Sequence, residues 1–314
     1  MFSFSLNDFV LVWMSLLYEA LPFIALGSII SGVVETFVSR EAVVRYMPRN
    51  RAVGIVASAF LGVLFPMCEC GIVPVVRRLV AKGVPASCAI TYMLAAPIVH
   101  PLVVVSTMIA FRGQGAPGVT LLRVGCGVAV AISVGVVMWR MFGDGGIFLE
   151  TMQPETEEQE GEAGADSGAG PLGVRVHQAL RTAADDFVVF SVFLIGGTAI
   201  AAVINSGFSR AAMAPIAEHE AASVAGLMLL AVLLNVCSEA DAFIAASFQA
   251  FSLPAKLSFI VLGPMLDIKL LLMFLAVFRK RAIAVLSCLM VGLVFLLCVT
   301  GHRWMPGFVA ALGW

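Results

Sequence analysis

Six segments of this sequence are apolar over lengths that can cross a lipid bilayer, and they dominate what the chain can fold into. An α-helix needs about 20 apolar residues to cross roughly 30 Å of hydrocarbon. Only 12% of the 314 residues are charged, whereas soluble domains carry about twice that share. The sequence therefore predicts an all-α polytopic membrane protein in contact with lipid, and excludes a soluble enzyme or a nucleic-acid-binding module. The six segments span residues 9–38, 85–111, 119–142, 182–206, 255–278 and 282–301.

Two further apolar segments are interrupted by polar residues and prolines. Residues 52–80 contain a motif from Pro66 to Gly71, and residues 221–252 contain a motif from Asn235 to Asp241. Non-helical backbone at membrane depth persists only where protein or a wet cavity satisfies its polar groups. Each segment is therefore predicted to be a broken or re-entrant hairpin that carries its polar motif at the tip.

The two halves of the sequence place corresponding motifs in the same order. Cys68 precedes Pro85 by 17 residues, and Cys237 precedes Pro254 by 17 residues. Broken, polar segments at matching positions of two halves are typical of a transporter binding site. The sequence predicts two structural repeats joined by an acidic, Gly-rich, disordered cytoplasmic linker. The predicted domains are residues 1–142 for the first repeat, 143–172 for the linker and 173–314 for the second repeat.

The distribution of Lys and Arg favours inverted repeats. If both broken segments enter and leave the membrane on one side, each repeat crosses three times, and an odd number inverts the second repeat. Thirteen basic residues, among them Arg77 and Arg78, then face the cytoplasm, and five, among them Arg123, face outward. The positive-inside rule favours this topology, with a periplasmic N-terminus in the bacterial inner membrane. Full crossing of both segments is the alternative and gives a weaker bias.

The first tip combines soft and acidic ligands. Cys68 and Cys70 flank Glu69, so thiol sulfur and carboxylate are available to a thiophilic ion, metal or metalloid. Cys237 of the second tip is predicted to join them as a substrate contact. All seven cysteines lie in or beside apolar stretches, which argues against a disulfide framework. The predicted structural hinges are Pro66, Gly71, Pro74, Pro97, Pro101 and Pro264.

Ionisable residues inside the apolar segments are costly unless they are paired or hydrated, and they mark ion or proton pathways. Glu239 and Asp241 of the second tip are predicted to carry protons or ions. Asp267, Lys269 and His100 are predicted to line the same path. The alternative is a purely structural role in ion pairs or caps.

These motifs resemble those of the bacterial predicted-permease family whose best-known members are the organoarsenical efflux permeases. The resemblance covers nearly the whole chain except the linker and implies a polytopic inner-membrane permease. For the arsenical branch it implies export of trivalent arsenicals with a membrane cysteine as substrate contact, while other members are linked to copper or zinc. The matching stretches are Phe65–Pro74, Lys82–Pro85, Ala95–Pro101, Cys237–Phe243 and Leu262–Lys269.

The main functional hypothesis is a proton-coupled secondary transporter that exports a small thiophilic species and needs no cofactor. A homo-oligomer or an accessory protein is an expected partner. A permease for another small solute, in which the cysteines are passive, remains an alternative. A membrane thiol oxidoreductase that uses Cys68, Cys70 and Cys237 is a second alternative, and a membrane scaffold is a third.

Overall fold

Helices account for nearly all the residues that the computed structural model describes, namely 6–39, 41, 45, 48, 50–64, 67–143, 147–148, 172–207 and 219–311. The only β-type pairing among them is an isolated bridge between Phe148 and Phe278. The helices are α1 Leu6–Phe37, α2 Arg51–Leu64, α3 Glu69–Ala81, α4 Ala86–Val99, α5 Pro101–Ala110, α6 Ala116–Phe142, α7 Leu172–Gly207, α8 Glu220–Leu234, α9 Asp241–Ser247, α10 Leu253–Leu262, α11 Ile268–Leu275, α12 Lys280–Gly301 and α13 Met305–Ala311.

Four described helices, α1, α6, α7 and α12, are long and apolar enough to cross a membrane. The pair α4 and α5 makes a fifth span if the two helices, bent by 41°, are counted as one. This confirms the all-α polytopic class. The prediction of one continuous span over residues 255–278 is wrong, because a turn at 263–265 separates α10 from α11. Pro264 lies in that turn, where its missing N–H leaves no helical hydrogen bond to lose.

The two polar motifs interrupt their helices, as the sequence predicts. Helix α2 ends at Leu64 and α3 begins at Glu69, while α8 ends at Leu234 and α9 begins at Asp241. Pro66, the predicted hinge between α2 and α3, lies outside the described residues. The internal repeat and its inversion remain predictions.

Three of the predicted hinge residues do not lie where the chain bends. Gly71 and Pro74 are inside α3, and Pro97 is inside α4. Pro101 is the first residue of α5, a position where proline is favoured because that N–H has no helical partner.

Gly71 instead allows close packing of α3 against α1. A Cβ atom at Gly71 would lie 2.6 Å from the Phe23 carbonyl oxygen, and one at Gly27 would overlap the Gly71 carbonyl. Small residues at such crossings let membrane helices approach backbone to backbone. The α1–α3 contact therefore fixes the position of α3, whose first turn carries Cys70 and Glu69.

We expect Gly27→Val to destabilise the protein by about 1–3 kcal/mol, the usual cost of forcing extra methyl groups into a packed contact. The obstacle is backbone of α3, which cannot move aside as a flexible side chain can. The melting temperature of the purified protein in detergent measures the effect. Gly125→Val is the matched control, because a Cβ there meets no atom within 4 Å. Equal melting temperatures for the two variants would contradict the packing argument.

A charged cluster joins α1, α3 and α7 away from the tips. Arg78 donates to Asp186 Oδ2 at 3.2 Å and to Oδ1 at 3.0 Å, and Ser31 donates to the same carboxylate. Arg77 adds a longer contact of 3.5 Å to Oδ1. Since α7 begins at Leu172, Asp186 lies well inside this helix, which starts before the apolar segment of residues 182–206.

The beginning of the predicted linker packs against the helices. Ile147 and Phe148 are buried, and Phe148 stacks on Phe278 with 5.0 Å between ring centroids. The Arg279 amide donates to the Ile147 carbonyl at 3.0 Å. The prediction of an unpacked segment is therefore wrong at these two apolar residues, and most of the remainder lies outside the described residues.

Candidate functional site

The first tip buries three reactive side chains where an extended residue meets a helix start. Cys68 has an extended backbone with φ −76° and ψ 172°, and Glu69 begins α3. Cys68 and Glu69 are 1% exposed, and Cys70 is fully buried. The first turn of a helix has unpaired N–H groups and a positive dipole end, so it favours the Glu69 carboxylate.

The second tip begins where Asn235 ends α8 in the left-handed conformation with φ 57°. Among non-glycine residues, asparagine tolerates this conformation best, which explains why it stands at the end of the helix. The chain then passes through Cys237 and Ser238, both buried, before α9 begins at Asp241.

The two tips meet at their sulfur and carboxylate atoms. The ligand atoms of Cys68, Glu69 and Cys237 all lie within 4.8 Å of one another and are buried. We call these three residues the ligand triad. Cys70 lies beside it, with its sulfur 3.9 Å from Glu69 Oε1, and Ser238 Oγ donates to Glu69 Oε2 at 3.2 Å. All four residues predicted as substrate contacts are thus brought together, and all seven cysteines are free thiols.

Lys269 joins the triad from the first turn of α11. Its Nζ lies 3.0 Å from Glu69 Oε1 and 3.2 Å from Asp267 Oδ2, and all three side chains are at most 3% exposed. Gly197 of α7 makes this position possible, because a Cβ there would lie 2.6 Å from the Lys269 Cα. The predicted site residues Asp267 and Lys269 therefore belong to the same buried network as Glu69.

Asp267 contacts three partners, namely Lys269, Leu270 and Asn235. Its Oδ1 caps α11 by accepting from the Leu270 amide at 2.7 Å. The Asn235 amide, with its nitrogen turned toward the carboxylate, donates at 2.9 and 3.1 Å. Asp267 therefore links the break before α11 to the end of α8.

Arg123 holds the other side of the second tip. Its guanidinium donates to Asp241 Oδ2 at 2.7 Å, to the Ser238 carbonyl at 3.1 Å and to Thr107 Oγ1 at 2.8 Å. Arg123 and Asp241 are both 1% exposed. Arg123 was predicted to lie outside the membrane, so this role was not predicted from the sequence. The available signal was that Arg123 is the only charge in α6 before Arg140.

Glu239 and Glu19 lie at the edge of this network. The Ser238 hydroxyl that contacts Glu69 also lies 3.4 Å from Glu239 Oε2. The other oxygen, Glu239 Oε1, is buried with no hydrogen-bond partner in the part of the chain that is described. Glu19 of α1 is half-buried and interacts with Lys269 and Cys237. No role for Glu19 was predicted, because a glutamate within a long apolar helix does not reveal which helix it faces.

An open cleft of about 370 Å³ lies next to the second tip. Ser15 and Leu16 of α1 line one side, and Asn205 and Val236 line another. Glu19 follows Ser15 and Leu16 by four and three residues, so it shares their face of α1. The cleft therefore lies one helical turn from Glu19 on the same face of α1, and Val236, which lines it, directly precedes Cys237.

His100 acts as a helix cap in this structure. It is buried at the break between α4 and α5, and its Nδ1 accepts from the Leu102 amide at 3.0 Å. Asp267 caps α11 in the same manner at the break between α10 and α11. The role of His100 in an ion path remains a prediction.

Helices that break at buried thiols and charges, in a chain with several apolar spans, define a multi-pass membrane protein of the permease type. The family described as predicted permease (ArsP_1) matches residues 5–302, and the chain belongs to that family. It is 39% identical over 284 residues to the UPF0718 protein YcgR of Bacillus subtilis strain 168, covering 90% of this chain and 93% of that protein. No solved structure matches.

A second relative comes from Streptococcus mutans serotype c. It is described as a candidate subunit of a two-component membrane permease complex. This chain is 33% identical to it over 292 residues, which covers 90% of this chain and 94% of the relative.

Proposed function

We propose that this permease carries a thiophilic ion or metalloid through the membrane, and that the ligand triad is its binding site. The observation that carries the proposal is the approach of Cys68, Glu69 and Cys237 to within 4.8 Å at the meeting point of two helix breaks. Two thiols and a carboxylate suit soft metals and trivalent metalloids better than hard cations such as Mg²⁺. Trivalent arsenicals and soft metal ions are the substrate classes that fit.

Efflux driven by protons is the transport mode that we propose for this site. Asp241 is held by Arg123, which favours a structural role. Glu239 and Asp241 each have one carboxylate oxygen without a hydrogen-bond partner within the described residues, but Glu239 forms no ion pair there and adjoins the triad through Ser238, so it is the better candidate for the proton carrier. Export from inverted vesicles with and without a pH gradient tests this coupling.

Cys68→Ser and Cys237→Ser are each expected to weaken the binding of phenylarsine oxide and of Cd²⁺ by more than about 100-fold. Changes in residues that merely support a metal ligand already cost about 10–100-fold, and loss of a ligand costs more. Titration of the purified, reduced protein in detergent measures both affinities.

Cys126→Ser is the matched control, because Cys126 is also a buried thiol but belongs to α6. Unchanged binding in both tip variants would remove the cysteines from the site. It would favour the alternative of a permease for a hard solute, which would use Glu69, Asp267 and Lys269.

A second candidate function follows from the same proximity of sulfurs. Two thiols this close are positioned for a reversible disulfide, as in a thiol oxidoreductase. A Cys68–Cys237 disulfide that forms and is reduced during turnover, without transport of any thiophilic species, would favour this candidate. The description of the Streptococcus mutans relative also motivates a second subunit, which co-purification of the tagged chain from its native membrane tests.

A further inference from the structure

Lys269 occupies the position on Glu69 that a cationic cargo needs. Its Nζ lies 3.0 Å from Glu69 Oε1, the carboxylate of the ligand triad. The other oxygen, Oε2, accepts from Ser238. Both oxygens of Glu69 therefore already accept from a donor, and a cation that binds Glu69 is brought close to the Lys269 ammonium.

Two positive charges on one buried carboxylate repel each other strongly. Like charges a few ångströms apart repel more strongly in a buried site than in water, because the effective dielectric constant is lower there. Because Ser238 carries no charge, the repulsion acts between the incoming cation and the Lys269 ammonium. Movement of Lys269 away from Glu69 relieves this repulsion.

Asp267 provides the place to which Lys269 can withdraw. Its Oδ2 is already 3.2 Å from Nζ, and its position is fixed by the Leu270 amide and by Asn235. Lys269 also lies 3.4 Å from the Asn235 carbonyl, which can accept one of its three N–H donors. The ammonium thus loses one partner and keeps two.

We propose that Lys269 is a built-in counter-cation that competes with the cargo for Glu69 and thereby sets the specificity of the site. This inference rests on the proposed function. A divalent soft cation forms two metal–sulfur bonds, releases two thiol protons to the solvent and, when it also binds Glu69, displaces the Lys269 ammonium from that carboxylate. An arylarsenic(III) oxide bonds to both sulfurs with the release of one water and leaves the Glu69–Lys269 pair intact. Lys269 therefore disfavours soft cations relative to neutral species that bind two thiols.

The test is a titration of the purified full-length chain in detergent with CdCl₂ and, separately, with phenylarsine oxide. Thiolate-to-cadmium absorption and the loss of free thiols report the two reactions. We expect Lys269→Gln to raise the affinity for Cd²⁺ by about 10-fold, which corresponds to removal of one competing charge interaction of about 1.4 kcal/mol. Its affinity for phenylarsine oxide is expected to change less than about 2-fold by the same scale.

A double-variant cycle separates displacement from a general effect of charge. In the Glu69→Gln background, Lys269→Gln is expected to leave Cd²⁺ affinity within about 2-fold, because no carboxylate remains to compete for. A 10-fold gain that persists in this background would overturn the proposal, since it would reflect only repulsion across space.

Asp267→Asn keeps the proposal testable if Lys269→Gln does not fold. The asparagine carbonyl can still cap α11, but within the described residues Lys269 then has Glu69 as its only ion-pair carboxylate. We expect the affinity for Cd²⁺ to fall about 10-fold and that for phenylarsine oxide to stay unchanged. Unchanged Cd²⁺ affinity in Asp267→Asn, or in Lys269→Gln, overturns the role of Lys269 alone. Wild-type protein that binds neither probe through Cys68 and Cys237 overturns the proposed function and this inference with it.

Discussion

Lys269→Met is expected to destabilise the protein by about 3–5 kcal/mol, the cost of leaving a buried charge without its partner. Lys269 lies between the Glu69 and Asp267 carboxylates, and both are about 99% shielded from solvent. The loss of one hydrogen bond between membrane helices is a much smaller effect, on average about 0.6 kcal/mol. The size of the change therefore distinguishes an uncompensated charge from a lost contact. Unfolding of the purified protein in mixed micelles measures it.

The double variant Lys269→Met with Glu69→Gln is expected to recover part of this stability, because it removes one of the two unpaired charges. Lys280→Met is the matched control: Lys280 begins α12, at the surface rather than in the network. If Lys269→Met unfolds no more easily than Lys280→Met, Lys269 is not the charge that compensates the two carboxylates.

The breaks at the two tips could be predicted because they violate the apolar pattern. Prolines, glycines and charges in the middle of residues 52–80 and 221–252 are incompatible with a plain membrane helix, and both segments do break there. The same argument wrongly predicted a hinge at individual residues of these segments. Gly71 is compatible with helix α3 because it packs against α1, and Pro74, the sixth residue of α3, lies inside the helix although it cannot donate the usual helical hydrogen bond.

The partners of the buried charges could not be predicted. Sequence spacing shows that Asp267 and Lys269 do not face each other on a regular helix, yet they pair because Asp267 lies before the first turn of α11. The Glu69–Lys269 pair joins opposite halves of the chain, and only the docking of α3 against α11 brings it about. No local pattern carries that information.

Arg123 shows how a topology argument can misplace a functional residue. The count of basic residues treats every Arg as a loop residue, but this side chain is buried among Thr107, Ser238 and Asp241. A cation in the apolar core requires a partner, and Asp241, which was predicted to carry protons or ions, is the carboxylate that pairs with Arg123. For an isolated charge in an apolar segment, the search for an oppositely charged partner in another segment therefore predicts its location better than the count of basic loop residues does.

Arg123→Met is expected to have an effect as large as that of Lys269→Met, about 3–5 kcal/mol, because it leaves Asp241 buried without a cation. It also removes the donor to the Ser238 carbonyl, which lies between Cys237 and Glu239 in the second tip. The same variant is therefore expected to weaken binding of phenylarsine oxide, since Cys237 loses its fixed position. Unfolding in mixed micelles and titration with the arsenical measure the two effects.

Asp241→Asn in the Arg123→Met background removes the unpaired charge but does not restore the contact with the Ser238 carbonyl. We expect this double variant to regain stability without regaining arsenical affinity, which separates the two roles of Arg123. Arg112→Met is the control, because Arg112 is an exposed residue beyond the end of α5. If stability and affinity recover together, Arg123 acts only by neutralising Asp241, and the second tip is held in place by other contacts.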